Sequence, residues 1–309
     1  MTAETVKRVA RECGFELCGV APAGPVEDFD RFERWLQRGM AGEMRYLIDR
    51  RAALRRDPRD LLSSAKSVIC IGKLYNTTRE NSDPAISRYA WGKDYHDVVR
   101  LGLEKMVERL IAIEEFEWKI CVDTAPLLER SYARMAGLGW IGKNTCLINE
   151  PLGSWFFLGE ILTSLELEID APPADRCGTC TRCIDACPTQ AIVPEGEGFT
   201  LDSRRCIAYL TIELRSPIPE GLTAGIGEHV FGCDICQEVC PWNSRAPLSS
   251  EGAFERRDLP PLEELSTMNE EEFREFARGS PLARPKYAGF MRNVKVALEN
   301  RRADSPAKD

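Results

Sequence analysis

The chain has only two histidines, His96 and His229, among 309 residues. A site built from several imidazoles is therefore excluded. No apolar stretch approaches the length of a membrane span, so no transmembrane helix is expected. The opening Met1-Thr-Ala-Glu-Thr-Val-Lys-Arg has neither an apolar export core nor a twin arginine. No signal peptide is expected, and a cytoplasmic location follows. An excess of positive charge is also missing: 41 Lys and Arg face 49 Asp and Glu, for a net charge of −8. That excludes a globally electropositive nucleic-acid binder and leaves room for a local basic patch. One motif lacks its context. Gly137-Leu-Gly139-Trp-Ile-Gly142 matches G-x-G-x-x-G, but a helical pattern precedes it where the dinucleotide fingerprint needs a strand. Gly137 suits that helix's C-cap instead.

Cysteine is plentiful, at 13 residues. An odd count in a long chain argues against a disulfide framework. Eight of the thirteen form a pattern: Cys177-x2-Cys180-x2-Cys183-x3-Cys187-Pro188, then Cys206, then Cys233-x2-Cys236-x3-Cys240-Pro241. A 4Fe–4S cube takes one thiolate per iron. Three come from a C-x2-C-x2-C loop and the fourth from a distant Cys-Pro, which in two-cluster ferredoxins belongs to the other motif. Cluster I is therefore assigned to Cys177, Cys180, Cys183 and Cys240. Cluster II takes Cys187, Cys206, Cys233 and Cys236, with Cys206 replacing a cysteine at the position Val230 occupies. Two structural zinc sites are the competing reading, but zinc knuckles pair separate C-x2-C units and do not chain three. Cys13, Cys18, Cys70, Cys121 and Cys146 lie mostly in apolar runs and read as core.

Three regions follow from the patterning. Residues 1–165 alternate helix and strand signals, including strands at 67–75, 118–122 and 155–163 and helices at 29–36, 95–110 and 125–136. Residues 166–248 carry the cysteines and little regular pattern, so metal would supply much of their folding energy. Residues 249–309 read as short helices, one capped by Asn269. The class is α+β. Outside the cysteines, Asp123 sits where a strand ends and a helix begins. It is either the helix cap, with Pro126 in the first turn, or a group in the ligand crevice that forms at such strand ends. His229 reads as structural. Lys143, Asn144 and Thr145 follow glycines and can line a pocket.

Five segments occur in order ahead of the cysteines: Arg55-Arg-Asp-Pro58, Tyr89-Ala-Trp-Gly-Lys-Asp-Tyr-His96, Val122-Asp-Thr-Ala-Pro-Leu-Leu-Glu-Arg130, Ala136-Gly-Leu-Gly-Trp-Ile-Gly-Lys-Asn144 and Gly153-Ser-Trp-Phe-Phe-Leu-Gly-Glu160. Together they resemble the epoxyqueuosine reductase family over about residues 5–248. The resemblance implies a nitroreductase-like cobalamin-binding domain, a two-cluster ferredoxin domain and a tRNA substrate. The implied reaction removes the epoxide oxygen of epoxyqueuosine at the wobble position, the last step of queuosine synthesis. It further implies Asp123 as proton donor, kept neutral by burial beside the corrin, and Arg130 as a contact to the substrate nucleotide. Arg55, Tyr95, His96, Asp123, Lys143, Asn144, Thr145 and Leu158 are the implied cofactor contacts. An external low-potential electron donor is required, and a monomer is expected. Many members of that family carry a longer C-terminal helical-repeat domain, and the resemblance implies a short member without a full one. Here Arg284, Lys286, Arg292, Lys295, Arg301 and Arg302 are the candidates for holding phosphates. Two other functions compete: a reductive dehalogenase on the same cofactor plan, and a ferredoxin-type electron-transfer module without cobalamin.

Overall fold

Four short apolar runs build one antiparallel sheet. In the computed structural model, which describes residues 1–78 and 84–304, the strands are β1 (Leu17–Pro22), β2 (Ser67–Leu74), β3 (Trp118–Cys121) and β4 (Phe156–Thr163). Their order is β1-β2-β4-β3, with every pairing antiparallel. β2 is buried along its whole length, as a β-branched run must be when both faces of a sheet are covered. One face carries Val20, Ile69, Ile71, Phe157 and Ile161 against helices α1 (Ala3–Glu12) and α2 (Tyr95–Ile111). The other carries Val68, Cys70, Cys121 and Leu162 against Phe29 and helix α3 (Glu129–Met135). The result is a helix–sheet–helix sandwich, the α+β class expected from the patterning.

Two local expectations shift for visible reasons. Asp28 makes no capping bond to the helix Phe29–Gln37; its carboxylate instead accepts from Arg134 at 3.1 Å. The helix expected from residue 125 begins only at Glu129, with Leu128 at its N-cap position. Asp123 lies in the left-handed region at φ 50°, so the chain turns there and the intervening residues do not continue a helix.

The cysteine region contains one hairpin, Ile192–Glu195 with Gly198–Leu201, and several short helices. The C-terminal region is part of the same body. Helix α4 (Lys286–Asp304) packs Phe290, Val294 and Ala297 into a core shared with Trp91, Val230, Phe231, Leu262 and Leu265. The strand His229–Phe231 pairs in parallel with Ala85–Ile86. Asn293, fully buried, donates to the carbonyls of Thr211 (2.7 Å) and Val230 (3.0 Å). The helix Glu270–Phe276 carries a full capping box between Asn269 and Glu272.

This packing corrects the phosphate-binding expectation for three of the six basic residues. Arg284 forms a two-point contact with Glu213. Arg292 donates to the carbonyls of Leu210, Leu214 and Ser216, and Arg301 pairs with Glu228 and Glu263. These cations hold the C-terminal helix to the cysteine region.

Phe290→Ala is expected to destabilise the protein by about 3–5 kcal/mol, the cost of emptying a fully buried aromatic site. Chemical denaturation monitored by tryptophan fluorescence checks this. A loss below about 1 kcal/mol would mean the shared core contributes little.

Candidate active site and cysteine clusters

Strand β3 ends at Cys121, and two residues later Asp123 takes its left-handed backbone. Such a conformation costs a non-glycine residue about 1–3 kcal/mol, and the residue does not cap the helix that follows. Its carboxylate instead meets His96, with Oδ2 3.1 Å from Nε2. The other imidazole nitrogen, Nδ1, lies 2.7 Å from Oδ1 of Asp94. Asp94 also caps α2, accepting from the His96 backbone N–H at 3.0 Å. The Tyr95 ring stacks on the imidazole at 4.2 Å and on Phe157 at 4.3 Å. His96 is thus clamped between two carboxylates and an aromatic face.

The electrostatics follow from the clamp. Partial burial works against a charged His96, but the hydrogen bonds and charges of Asp123 and Asp94 outweigh it and push its pKa up to about 9. Burial likewise works against an ionised Asp123, but the His96 hydrogen bond and charge prevail, helped by Tyr95 and Arg284, and its pKa falls below the ordinary value. At neutral pH the pair is imidazolium and carboxylate. The expectation of a neutral Asp123 is not met in this structure, because the proton resides on His96.

Other groups converge on the same place. Glu129 Oε1 accepts the Asp123 backbone N–H at 2.6 Å. Burial and the neighbouring Asp123 charge push its pKa up to about 8. Arg130 donates to the Thr145 carbonyl at 2.9 Å. Arg55 is buried, bonded to the Arg51 carbonyl at 3.0 Å and near the Phe32 ring. Leu158 stands half-buried on the α3-facing side of β4. Arg284, from the C-terminal region, lies over Tyr46 at 5.5 Å and adds positive charge near Asp123.

The cysteines gather in two groups. Cys177, Cys180, Cys183 and Cys240 line one cavity of about 230 Å³, together with Ile148 and Trp242. Burial and the thiols of Cys177 and Cys240 push Cys183 up to about 11. In the second group, burial and then Cys206 and Cys187 push the Cys233 thiol up. Cys236 is pushed up first by its hydrogen bond with Cys146, then by burial, Cys233 and Cys206. Among the described residues, no three His, Cys, Asp or Glu side chains are arranged to hold a single metal ion. All thirteen cysteines are free thiols. Cys146, expected in the core, touches the second group.

One loop joins these parts. Lys143 Nζ donates to the carbonyls of Gly178 (2.7 Å) and Cys180 (3.0 Å). Asn144 Nδ2 donates to the Cys236 carbonyl at 3.2 Å. Thr145, in the left-handed region at φ 64°, offers its carbonyl to Arg130. Residues 143–145 therefore touch both cysteine loops and α3 at once. The glycine motif before them serves packing: a Cβ on Gly139 would stand 2.2 Å from the Ile148 carbonyl, and a strand, Trp140–Ile141, follows it. His229 bonds the Ile226 carbonyl at 2.8 Å, a structural role.

Asp94, Glu129, Glu160 and Tyr46 were not singled out in the sequence, and Arg284 was read there only as a phosphate contact. Asp94 had the signal of a cap before an amphipathic helix. Glu160 was the one charge inside the apolar run at 155–163. Tyr46 gave none, and the place of Arg284 beside Asp123 gave none either, since only tertiary packing brings them in.

With two histidines in the chain, the pair is directly observable. Histidine NMR of the apoprotein should show one imidazole titrating near pH 9, moving back toward the ordinary value near 6.5 in Asp123→Asn. A raised folded pKa means the stability this pair contributes is present below about pH 6.5 and lost as pH rises through about 9. An unchanged titration in the variant would contradict the pairing.

Known proteins resemble this chain over nearly its whole length. The family model "Epoxyqueuosine reductase QueG, DUF1730" matches residues 55–124, and "4Fe-4S double cluster binding domain" matches residues 176–243. The epoxyqueuosine reductase of Xanthomonas campestris pv. campestris is 42% identical over 311 aligned positions, covering 96% of this chain and 86% of the relative. That of Escherichia coli K12 is 38% identical, covering 96% and 81%. A crystal structure of epoxyqueuosine reductase with an epoxyqueuosine-modified tRNA-Tyr stem loop superposes with a TM-score of 0.86 at 31% identity, covering 96% and 80%. A Bacillus subtilis structure, with its catalytic aspartate loop swung out of the active site, gives 0.85 at 30%, covering 96% and 81%. The chain belongs to the epoxyqueuosine reductase family.

Proposed function

We propose that this protein is a tRNA-modifying oxidoreductase that reduces epoxyqueuosine to queuosine at the wobble position, with two 4Fe–4S clusters and cobalamin as cofactors. The observation that carries the reading is the coincidence of an imidazolium–carboxylate pair with two four-thiol groups, bridged by one three-residue loop.

The residues fit the groups they would hold. Four thiols around a single cavity suit a cube better than a point ion. Cys177, Cys180, Cys183 and Cys240 would hold cluster I, and Cys187, Cys206, Cys233 and Cys236 cluster II. The corrin would draw on Leu158 for apolar contact, on Arg55 and Thr145 for polar contact, and on Tyr95, His96 and Asp123 at the reacting side. Lys143 and Asn144 are better read as supports of the cysteine loops, since their side chains are committed there. When bound, the clusters supply a path for single electrons and cobalamin supplies a low-potential nucleophile toward carbon.

The chain's own residues supply the proton. An epoxide oxygen leaves poorly unless protonated as the bond breaks. His96, charged at neutral pH and clamped by Asp94 and Asp123, is the stored acid. Asp123 orients it and is the carboxylate through which the proton reaches the substrate oxygen. The catalytic loop named for the Bacillus subtilis structure supports an aspartate in this role. Arg130, exposed beside Thr145, is suited to a contact with the substrate nucleotide.

We read residues 1–165 as the cobalamin-binding domain, 166–248 as the cluster domain and 249–309 as a helical buttress. No helix among the described residues is long and apolar enough to cross a membrane. A cytoplasmic monomer fed by an external low-potential donor is the matching cellular picture.

The test is anaerobic turnover of an epoxyqueuosine-containing stem loop by reconstituted enzyme, followed by nucleoside mass spectrometry for loss of one oxygen. Asp123→Asn and Asp123→Ala should retain iron and cobalamin and lose roughly 10²-fold or more in turnover. Near-parent rates in both would remove Asp123 from the mechanism. Turnover of aryl halides without reaction of the stem loop would overturn the substrate.

A further inference from the structure

Glu160 is the one carboxyl on β4, whose other residues are apolar apart from Thr163. It is 0% exposed, and neither carboxyl oxygen has a hydrogen-bond partner. It stands directly opposite Cys70 on β2 and Cys121 on β3, two residues short of Asp123. Burying an ionised carboxylate without partners costs several kcal/mol. A leucine of similar size would serve packing better. The position therefore calls for a role that a leucine could not fill.

The groups facing Glu160 leave it protonated. Burial is the largest influence, then the carboxyls of Glu129 and Asp123, and its pKa is raised well above the ordinary value. The thiols of Cys70 and Cys121 beside it are themselves pushed up and stay neutral. Glu129 faces Asp123, whose charge raises its pKa, and the cations Arg130 and His96, which lower it. The charges of Glu129 and Arg55 also act on each other, as do those of Glu129 and Tyr95, whose phenol stays protonated. The resting arrangement is an ionised Asp123 beside charged His96, with protonated Glu129 behind Asp123 and protonated Glu160 behind that.

The reaction needs more than one proton. Removing an epoxide oxygen breaks two C–O bonds and forms one C=C bond. It consumes two electrons from the external one-electron donor and two protons, and the oxygen leaves as water. The His96–Asp123 pair holds only one of those protons. Resting on the function proposed above, we propose that Glu129 and Glu160 hold the second proton and pass it to Asp123 once His96 has given up its own. Glu129 hands its proton to the Asp123 carboxylate and is refilled from Glu160. The cycle leaves His96 neutral and Glu160 ionised, and solvent restores both protons before the next turnover. Neither glutamate touches the substrate; both act through Asp123, whose backbone N–H is already bonded to Glu129 at 2.6 Å.

The experiment uses the cofactor-loaded enzyme and Glu160→Gln, Glu160→Leu and Glu129→Gln variants. Infrared spectra of the parent at neutral pH should contain, beside the carbonyl band of protonated Glu129, the band of protonated Glu160, shifted in D2O and lost in Glu160→Gln. Turnover of the stem loop should fall roughly tenfold or more in Glu160→Gln and Glu160→Leu, with cobalamin content and stem-loop affinity unchanged. Glu160→Leu should also melt at a higher temperature, separating a functional loss from a folding loss. The parent rate should decline as pH rises through about 8, where Glu129 ionises, and Glu129→Gln should be slow without that decline. A Glu160→Leu enzyme within twofold of the parent rate, or a parent spectrum without the Glu160 band, overturns the proton store. A loaded parent that leaves the stem loop unreacted overturns the functional reading instead, while the band still decides whether Glu160 carries a proton.

Discussion

Electrons and protons must arrive at one carbon–oxygen bond, and the segment 143–145 is the constraint that makes them meet. Its lysine fixes the first cysteine loop, its asparagine the second, and its threonine carbonyl the helix that follows Asp123. Moving it would separate the thiol groups from the acid pair. The tight turn at Thr145 and the close approach of Gly139 to Ile148 are the local costs of that threefold attachment.

The acid pair obeys the same logic of mutual support. His96 alone, half-buried, would lose its proton more readily; two carboxylates reverse that. Asp123 alone would be pushed toward neutrality by burial; the imidazolium reverses that as well. The structure thus keeps an acid at neutral pH by storing its proton on nitrogen, where the sequence reading had it on carboxyl oxygen. Behind it, Glu129 and Glu160 sit among like charges with little compensation, and this is the reverse arrangement, one that holds protons on oxygen.

Much of this was legible in the sequence. The cysteine spacing alone assigns two groups of four, because a cube's geometry dictates the spacing of its ligands. Apolar periodicity located all four sheet strands but β1, and Asn269 announced its capping box. Asp123 was visible as a choice between cap and ligand, and its left-handed backbone rejects the cap. Less legible was everything set by packing across the chain. Arg284 and Arg292 looked like a phosphate grip, yet they bind the C-terminal helix to the cysteine region, since their partners Glu213 and the Leu210 carbonyl are distant in sequence. Lys143 and Asn144 read as pocket residues because glycines precede them; their partners lie on the cysteine loops.

The most direct test is the metal inventory of one anaerobic preparation, read together with electron paramagnetic resonance of the reduced protein. The account expects about eight irons and eight sulfides per chain, from two four-iron clusters, about one bound cobalt after cobalamin loading, and magnetic interaction between cobalt and a reduced cluster. Zinc in place of iron, or a chain with both clusters intact that retains no corrinoid, would contradict it.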